Sequence, residues 1–186
     1  GTVFGQGLVT KQYEDGGIYK GSFFDGQQHG EGTYTLPSGY EYKGNWEKGK
    51  ITGYGRAKFP DGVIYEGNFL NGEPSGMGKV SYTDGSTYEG TWIDGKIGGQ
   101  GVLTKPNGEI YKGDFKDGKF HGQGIFSRSD GFLYDGGWVD NFSNGFAKVT
   151  YPNGMIYEGY IVKNQRQGKG ALQDPGGTIF EGNWEK

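Results

Sequence analysis

One tyrosine recurs every 23 residues along this chain, and that period constrains the possible folds more than any other feature. A glycine follows each of these tyrosines after two residues, and an aromatic residue follows most of them after four. Such repetition is typical of architectures in which one small unit is stacked many times. The sequence therefore predicts one repeat array over residues 1–186, with seven full copies in 19–179 and partial copies in 1–18 and 180–186. The tyrosines that begin copies one to seven are Tyr19, Tyr42, Tyr65, Tyr88, Tyr111, Tyr134 and Tyr157, and Phe180 takes the next place.

Each copy contains two short segments with β character, which in the first copy are residues 18–23 and 30–36. The link inside a copy carries Asp-Gly or a similar pair, and the link between copies carries Pro or Asp before Gly, which are turn-forming sequences. No segment has helical periodicity. These features predict an all-β fold, an elongated single-layer antiparallel sheet of stacked β-hairpins. At about 4.8 Å per strand, each copy adds roughly 10 Å and the array reaches roughly 70–80 Å.

Alternation along the first strand of each copy predicts one apolar and one polar face. In the first copy, Tyr19, Gly21 and Phe23 share one face, whereas Lys20 and Ser22 share the other. Aromatic residues make up 16% of the chain, so the core is expected to consist mainly of rings. The glycine between the two rings leaves room for a neighbouring ring to lie flat across the backbone.

Composition excludes several classes of function. The net charge is −3 and no run of Lys or Arg forms a basic stripe, which argues against nucleic-acid binding. The chain has no cysteine, so it has neither disulfides nor thiol nucleophiles. No apolar run approaches the ~20 residues of a membrane-spanning helix, and no signal peptide is visible. We therefore expect a cytoplasmic location.

The residues that superficially suggest chemistry are better explained by the repeat. His29 and His121 stand four copies apart, about 40 Å at the expected rise, so they cannot share a metal within one chain. A metal bound across a dimer contact is the alternative for them. Asp61, Asp84 and Asp130 sit beside turn glycines, where an aspartate side chain bonds local backbone. The G-x-G strings lack the helix that a nucleotide-binding loop needs. We expect no catalytic residue, no metal site and no cofactor.

The unit Y-x-G-x-W/F-x-x-G-x-x-x-G-x-G resembles the MORN repeat (membrane occupation and recognition nexus). The clearest copies are 111–124 (YKGDFKDGKFHGQG) and 19–32 (YKGSFFDGQQHGEG), and the resemblance covers nearly the whole chain. It implies a groove-like sheet of stacked hairpins and a role as a scaffold or adaptor at cytoskeletal or membrane-associated structures. Some members dimerise, phospholipid binding has been proposed for the repeats, and some repeats accompany kinase or methyltransferase domains.

The sixth and seventh copies depart most from this pattern. Asn141 and Asn164 replace a turn glycine, Ala147 replaces another glycine, and Ile161 replaces the aromatic residue. These departures weaken the pattern towards the C-terminal third.

The aromatic rows are the feature most suited to binding a protein partner, because contiguous apolar surface marks interaction sites and Tyr and Trp are frequent anchors. The alternative is that neighbouring rings only cover one another. The predicted partner groove consists of Tyr42, Trp46, Tyr65, Phe69, Tyr88, Trp92, Tyr111, Phe115, Tyr134 and Trp138.

An open array also has two edge strands, which invite pairing. The C-terminal edge follows the most divergent copies, so we predict an antiparallel homodimer through the C-terminal third. Its predicted interface consists of Ile156, Tyr160, Ile161, Val162, Phe180 and Trp184, next to Lys186.

The leading hypothesis is a non-catalytic scaffold whose rigid ribbon associates with itself and holds protein partners. A second hypothesis is a peripheral module that binds anionic phospholipid weakly, which the balance of 19 basic and 22 acidic residues disfavours. A third is a targeting region excised from a larger enzyme, which the absence of an initial methionine permits.

Overall fold

The computed structural model describes residues 8–185, in which sixteen β-strands and no helix are present. Residues 1–7 and Lys186, which the sequence assigns to the partial copies, lie outside the described residues. The strands are β1 (Val9–Gln12), β2 (Ile18–Phe24), β3 (Gln27–Thr35), β4 (Glu41–Glu47), β5 (Lys50–Lys58), β6 (Ile64–Leu70), β7 (Glu73–Ser81), β8 (Thr87–Ile93), β9 (Lys96–Thr104), β10 (Ile110–Lys116), β11 (Lys119–Ser127), β12 (Leu133–Val139), β13 (Phe142–Thr150), β14 (Ile156–Val162), β15 (Gln165–Gln173) and β16 (Ile179–Trp184).

Strand order in the sheet follows chain order without a crossover, and the pairing is antiparallel. The chain divides into two compact units, residues 1–96 and 97–186, which are described one at a time below. Within each unit the strands form hairpins that repeat every 23 residues, so the predicted all-β sheet of stacked hairpins is confirmed. Across residues 8–185, no helix has the length and apolar character needed to cross a membrane.

The tip of each hairpin is a two-residue turn in which both residues have positive φ, the signature of a type I′ turn. Asp25 and Gly26, with φ of 50° and 73°, make the first one. The Asp-Gly pairs predicted these turns correctly because Gly, Asp and Asn tolerate this conformation far better than other residues. The other tips are Lys48-Gly49, Asn71-Gly72, Asp94-Gly95, Asp117-Gly118, Asp140-Asn141 and Lys163-Asn164.

Asn141 and Asn164 do more than tolerate positive φ at the last two tips. The side-chain oxygen of Asn141 accepts the backbone N–H of Phe120 at 2.9 Å, in the preceding hairpin. Asn164 accepts the backbone N–H of Ser143 in the same way, at 2.8 Å. These departures from the repeat pattern therefore preserve the turn and add a bond between neighbouring hairpins.

A bulge recurs in six of the hairpins and explains the glycine that follows each of their tyrosines by eleven residues. In the first copy Gly21 pairs with Gly32 and Phe23 pairs with Gln28, so Ser22 faces three residues instead of one. Gly30, in the middle of those three, has φ of 77°, which disfavours a side chain.

The longer turns between copies are closed by the predicted side-chain bonds. Asp84 accepts the backbone N–H of Ser86 at 2.8 Å, and Asp130 accepts that of Phe132 at 3.0 Å. Asp61 accepts the N–H of Val63 at 3.1 Å. These carboxylates are structural, as their position beside turn glycines predicts.

Candidate functional site

The face of the sheet that carries the repeating tyrosines is called the aromatic face, and the face that carries Lys20, Lys43 and Arg56 is called the polar face. On the aromatic face the tyrosine ring lies across the glycines of its own hairpin in the first, second, third, fifth and seventh copies. A Cβ atom added to Gly32 would lie 2.5 Å from a ring carbon of Tyr19. The predicted close approach of ring and backbone is therefore confirmed.

Neighbouring copies are joined by edge-to-face ring contacts. The ring of Trp46 lies 5.2 Å from that of Tyr19, in the preceding copy, and 5.6 Å from that of Tyr42, in its own copy. Both contacts are close to perpendicular, with interplanar angles of 86°. Edge-to-face pairs of this kind add ~0.5–1.5 kcal/mol beyond burial of area.

Most residues of the predicted partner groove are in this core. Nine of the ten are no more than 8% exposed, and Trp92 is half-buried. Little of their surface is left for direct contact, so a partner on the aromatic face meets mainly the rings around them. Those rim rings, at the ends of the strands and in the longer turns, include Tyr34, Tyr40, Phe59, Phe126, Phe132 and Tyr151, all half-buried.

The buried tyrosines are hydrogen-bonded and protonated. The hydroxyl of Tyr65 donates to the carbonyl of Asn68 at 2.7 Å, and that of Tyr88 donates to the carbonyl of Thr91 at 2.8 Å. Burial raises the pKa of both tyrosines to about 12. These hydroxyls stabilise the fold through their hydrogen bonds, and they stay protonated near neutral pH.

One tyrosine and one tryptophan of the predicted groove border an open space in the second unit. Tyr134 and Trp138 line a hollow of about 420 Å³ on the aromatic face. Ser143 and Asn164 supply polar atoms to it, and the guanidinium of Arg128 lies at its border. Aromatic walls with a few polar groups are typical of ligand sites.

The predicted dimer interface falls on both faces of the sheet. Tyr160 is 53% exposed on the polar face, whereas Ile161 is 5% exposed on the aromatic face. Ile156 and Val162 are half-buried. The six residues therefore do not form one continuous patch.

At the C-terminal edge, the aromatic residues of β16 differ in burial. Phe180 is 56% exposed, and Trp184 is half-buried because its ring lies 5.2 Å from that of Tyr157. The exposed part of the predicted interface on this face is thus Phe180.

Phe146 is a residue that the sequence reasoning missed. It pairs with Tyr160 across β13 and β14, is 58% exposed, and its ring lies 5.7 Å from that of Tyr160. The pair borders a hollow of about 600 Å³ on the polar face. The signal in the sequence is the contrast with the polar residues Glu31 and Asn45, which occupy the equivalent paired positions at the start of the array.

The polar face of the first unit carries a row of side chains in register across the strands. Lys20, Lys43 and Arg56 border a hollow of about 500 Å³, together with Glu31. Arg56 is bound to Glu66 at 3.0 Å between Nε and Oε1, and both side chains are about half exposed. The row is therefore mixed in charge, with a basic excess at its N-terminal end.

The two histidines have no metal-binding surroundings in the described part of the chain. No group of three or more His, Cys, Asp or Glu side chains in residues 8–185 is placed to hold a metal ion. His121 Nδ1 lies 4.0 Å from Asp140 Oδ1, beyond hydrogen-bonding distance.

The family model of the MORN repeat matches seven segments of the chain, which together cover most of it. No curated protein matches the chain by sequence. The matched segments are 19–39, 42–64, 65–87, 88–110, 111–132, 134–156 and 157–179.

Two solved structures are similar in fold at low sequence identity. One is the TCP domain of SAS-4 (dCPAP) from Drosophila melanogaster in complex with a proline-rich motif of Ana2 (dSTIL), with 13% identity, 95% of this chain and 90% of that chain covered, and a TM-score of 0.53. The other is the G-box domain of the microcephaly protein CPAP, with 14% identity, coverage of 96% and 100%, and a TM-score of 0.53.

Proposed function

The chain belongs to the MORN repeat family, and on this premise we propose that it is a non-catalytic scaffold that binds protein partners and pairs with a second copy of itself. Like the scaffold members of the family that it resembles, it would act in the cytoplasm at cytoskeletal or membrane-associated structures. The SAS-4 TCP domain, which shares the fold, forms a complex with a proline-rich motif of Ana2. That example supports protein binding as a class of function but names no partner for this chain.

The exposure of Phe180 is the observation that carries self-association. The seven tyrosines at the same place in the other copies are only 0–4% exposed, whereas Phe180 is 56% exposed. A strand edge with unpaired backbone and an exposed ring is a template for pairing with another chain. A second copy aligned along β16 would supply a neighbouring strand, which the described residues do not provide on that side of Phe180.

Phe146 and Tyr160 give the second unit another exposed apolar surface, which lies on the polar face of the sheet. At the Phe146 position the second copy also carries an exposed ring, Tyr54, but that residue pairs with Asn68, so an exposed edge-to-face pair of rings is specific to the sixth and seventh copies. Exposed aromatic residues are frequent anchors at interfaces. These two rings lie on β13 and β14, three and two strands from the edge strand β16, where they could contact the same second copy.

Sedimentation velocity at tens of micromolar tests the proposal. We expect a dimer for the natural chain and a monomer for Phe180→Lys, because a charge on an edge strand opposes pairing. Leu70→Lys, at a 58% exposed position on a hairpin tip of the first unit, is the matched control and should leave the dimer intact. A natural chain that stays strictly monomeric, or a Phe180→Lys variant that dimerises as well, contradicts the proposal.

Binding of anionic lipid is a second candidate, favoured by the basic end of the polar face. Lys20, Lys43 and Arg56 border one hollow, and each basic group near a membrane surface contributes ~1 kcal/mol of attraction. Co-sedimentation with phosphatidylserine vesicles should then exceed that with phosphatidylcholine vesicles and fall with added salt. Equal recovery with both lipids removes this candidate.

A further inference from the structure

One position of the hairpin decides whether the aromatic face is closed or open. It lies nine places after each tyrosine, and in six copies the register shows it paired with the residue four places after that tyrosine; we call it the slot residue. In six copies the slot residue is long or bulky, but in the sixth copy it is a serine. The slot residues are Gln28, Ile51, Pro74, Ile97, Phe120, Ser143 and Arg166.

The fifth copy shows what the slot accepts. Phe120 lies parallel to the ring of Tyr111, with centroids 3.8 Å apart and an interplanar angle of 3°. It also lies edge-on to Phe115, at 5.6 Å, and to Trp138, at 5.4 Å. An aromatic ring in the slot therefore contacts three other rings.

In the sixth copy two of the three walls are again rings, Tyr134 and Trp138, whereas Ile161 takes the place of the third. Ser143 takes the slot, with its N–H and its hydroxyl both donating to the side-chain oxygen of Asn164 at 2.8 Å. Tyr134 beneath it is 4% exposed, whereas its six equivalents are 0–1% exposed. The hollow of about 420 Å³ on the aromatic face opens at this place.

One guanidinium group, that of Arg128, lines this hollow, and a second, that of Arg166, stacks on Tyr151, whose ring also lines it. Arg128 lies 4.4 Å above the ring of Phe132, and Arg166 lies 5.0 Å above the ring of Tyr151, to whose hydroxyl it donates an Nε–H bond at 3.1 Å. Only Arg128 has a carboxylate beside it, Asp130 at 3.1 Å. Among the described residues, these two arginines and one carboxylate leave an excess of positive charge beside the hollow.

We propose that the hollow beside Ser143 binds an aromatic side chain of a protein partner, on a segment that carries carboxylates next to that side chain. The aromatic ring takes the place that Phe120 fills in the fifth copy, and the carboxylates pair with Arg128 and Arg166. This inference rests on the proposed protein-binding function and gives that function a site. It is independent of the proposed pairing along β16.

Short capped peptides titrated into the full chain test the site, with the indole N–H signal of Trp138 in NMR spectra as the readout. Trp138 lines the hollow and donates its indole N–H to the carbonyl of Gly124 at 3.1 Å. The probes have a central phenylalanine between two aspartates, the same phenylalanine between two lysines, or a central alanine between two aspartates. We expect a saturable shift of this signal at millimolar concentration with the first peptide and a much weaker shift with the other two.

Two substitutions at one position separate filling of the hollow from loss of a hydrogen bond. Ser143→Phe and Ser143→Ala both remove the hydroxyl bond to Asn164, but only phenylalanine occupies the slot. We expect Ser143→Phe to lower affinity by about tenfold or more, and Ser143→Ala to lower it by much less, because alanine leaves the slot open. Arg128→Gln should reduce the preference for the aspartate peptide over the lysine peptide.

Circular dichroism spectra and melting curves show whether each variant is folded. If Ser143→Phe does not fold, Ser143→Ile, which installs the residue of the second and fourth copies, takes its place. No shift of the Trp138 signal with the first peptide overturns the inference, as does equal binding by the alanine peptide or by folded Ser143→Phe. None of these results bears on whether the chain forms a dimer, so this inference can fail while the proposed scaffold stands.

Discussion

Tyr157 and Phe180 occupy the same place in consecutive copies, yet Tyr157 is 0% exposed and Phe180 is 56% exposed. The difference lies in the following strands: the ring of Trp184 covers Tyr157 at 5.2 Å, whereas no strand follows β16 in the described part of the chain. Each hairpin is therefore buried by the next one, as expected where stability is a sum over neighbouring repeats. The same substitution should then have different effects in the interior and at the edge.

High pH should have the largest effect, because it acts on all the interior tyrosines and on nothing at Phe180. Burial raises the pKa of Tyr65, Tyr88 and Tyr134 to about 12, above the value of ~10 in an unfolded chain. Their contribution to stability is complete below pH ~10 and is lost as the pH rises towards 12. Tyrosinate absorbance and circular dichroism should change together in one cooperative step. Gradual ionisation with an unchanged β spectrum would contradict this.

Removal of a ring tests the comparison directly. Tyr157→Ala should lower the free energy of unfolding by about 3–5 kcal/mol, as large-to-small changes of buried aromatic residues do. Phe180→Ala should cost less than about 1 kcal/mol, because more than half of that side chain already faces solvent. Urea unfolding at a protein concentration below that of self-association measures both. Equal losses would mean that burial does not depend on the next hairpin.

Addition of a methyl group tests the backbone beneath the rings. A Cβ atom on Gly159 would lie 2.5 Å from the hydroxyl of Tyr157 and 2.6 Å from the Cα atom of Gly170, whereas one on Gly182 would meet nothing within 4 Å. Gly159→Ala should therefore cost about 1–3 kcal/mol, and Gly182→Ala should lie within about 0.5 kcal/mol of the natural chain. Thermal melts of both variants distinguish these outcomes, and a tolerated Gly159→Ala would show that the Tyr157 ring can move aside.

The sequence predicts the interior of this fold better than its surfaces. Strands, I′ turns and the buried tyrosines follow from local rules, namely turn chemistry and alternation along a strand. The open slot does not, because the bulge adds two residues opposite Ser22 and its equivalents, which keeps the alternation of faces but shifts the pairing register by two places. Ser143 therefore gives no sign in the sequence that it faces Trp138. Likewise, the pairing of Phe146 with Tyr160 emerges only when the register is known.

The smallest expected effect concerns a single hydroxyl. Tyr157 donates to the carbonyl of Tyr160 at 2.9 Å from a buried position, so Tyr157→Phe should cost about 0.5–1.5 kcal/mol. The reverse change at the edge, Phe180→Tyr, should alter stability by less than about 0.5 kcal/mol, because water already solvates the groups that a hydroxyl could reach there. Paired urea titrations of the two variants measure this difference. Phe180→Tyr could instead stabilise the chain only at concentrations where it sediments as a dimer. The new hydroxyl would then donate a buried hydrogen bond to a backbone carbonyl, as the hydroxyl of Tyr157 does. That result would mean that a second copy gives the edge the cover that Trp184 gives Tyr157.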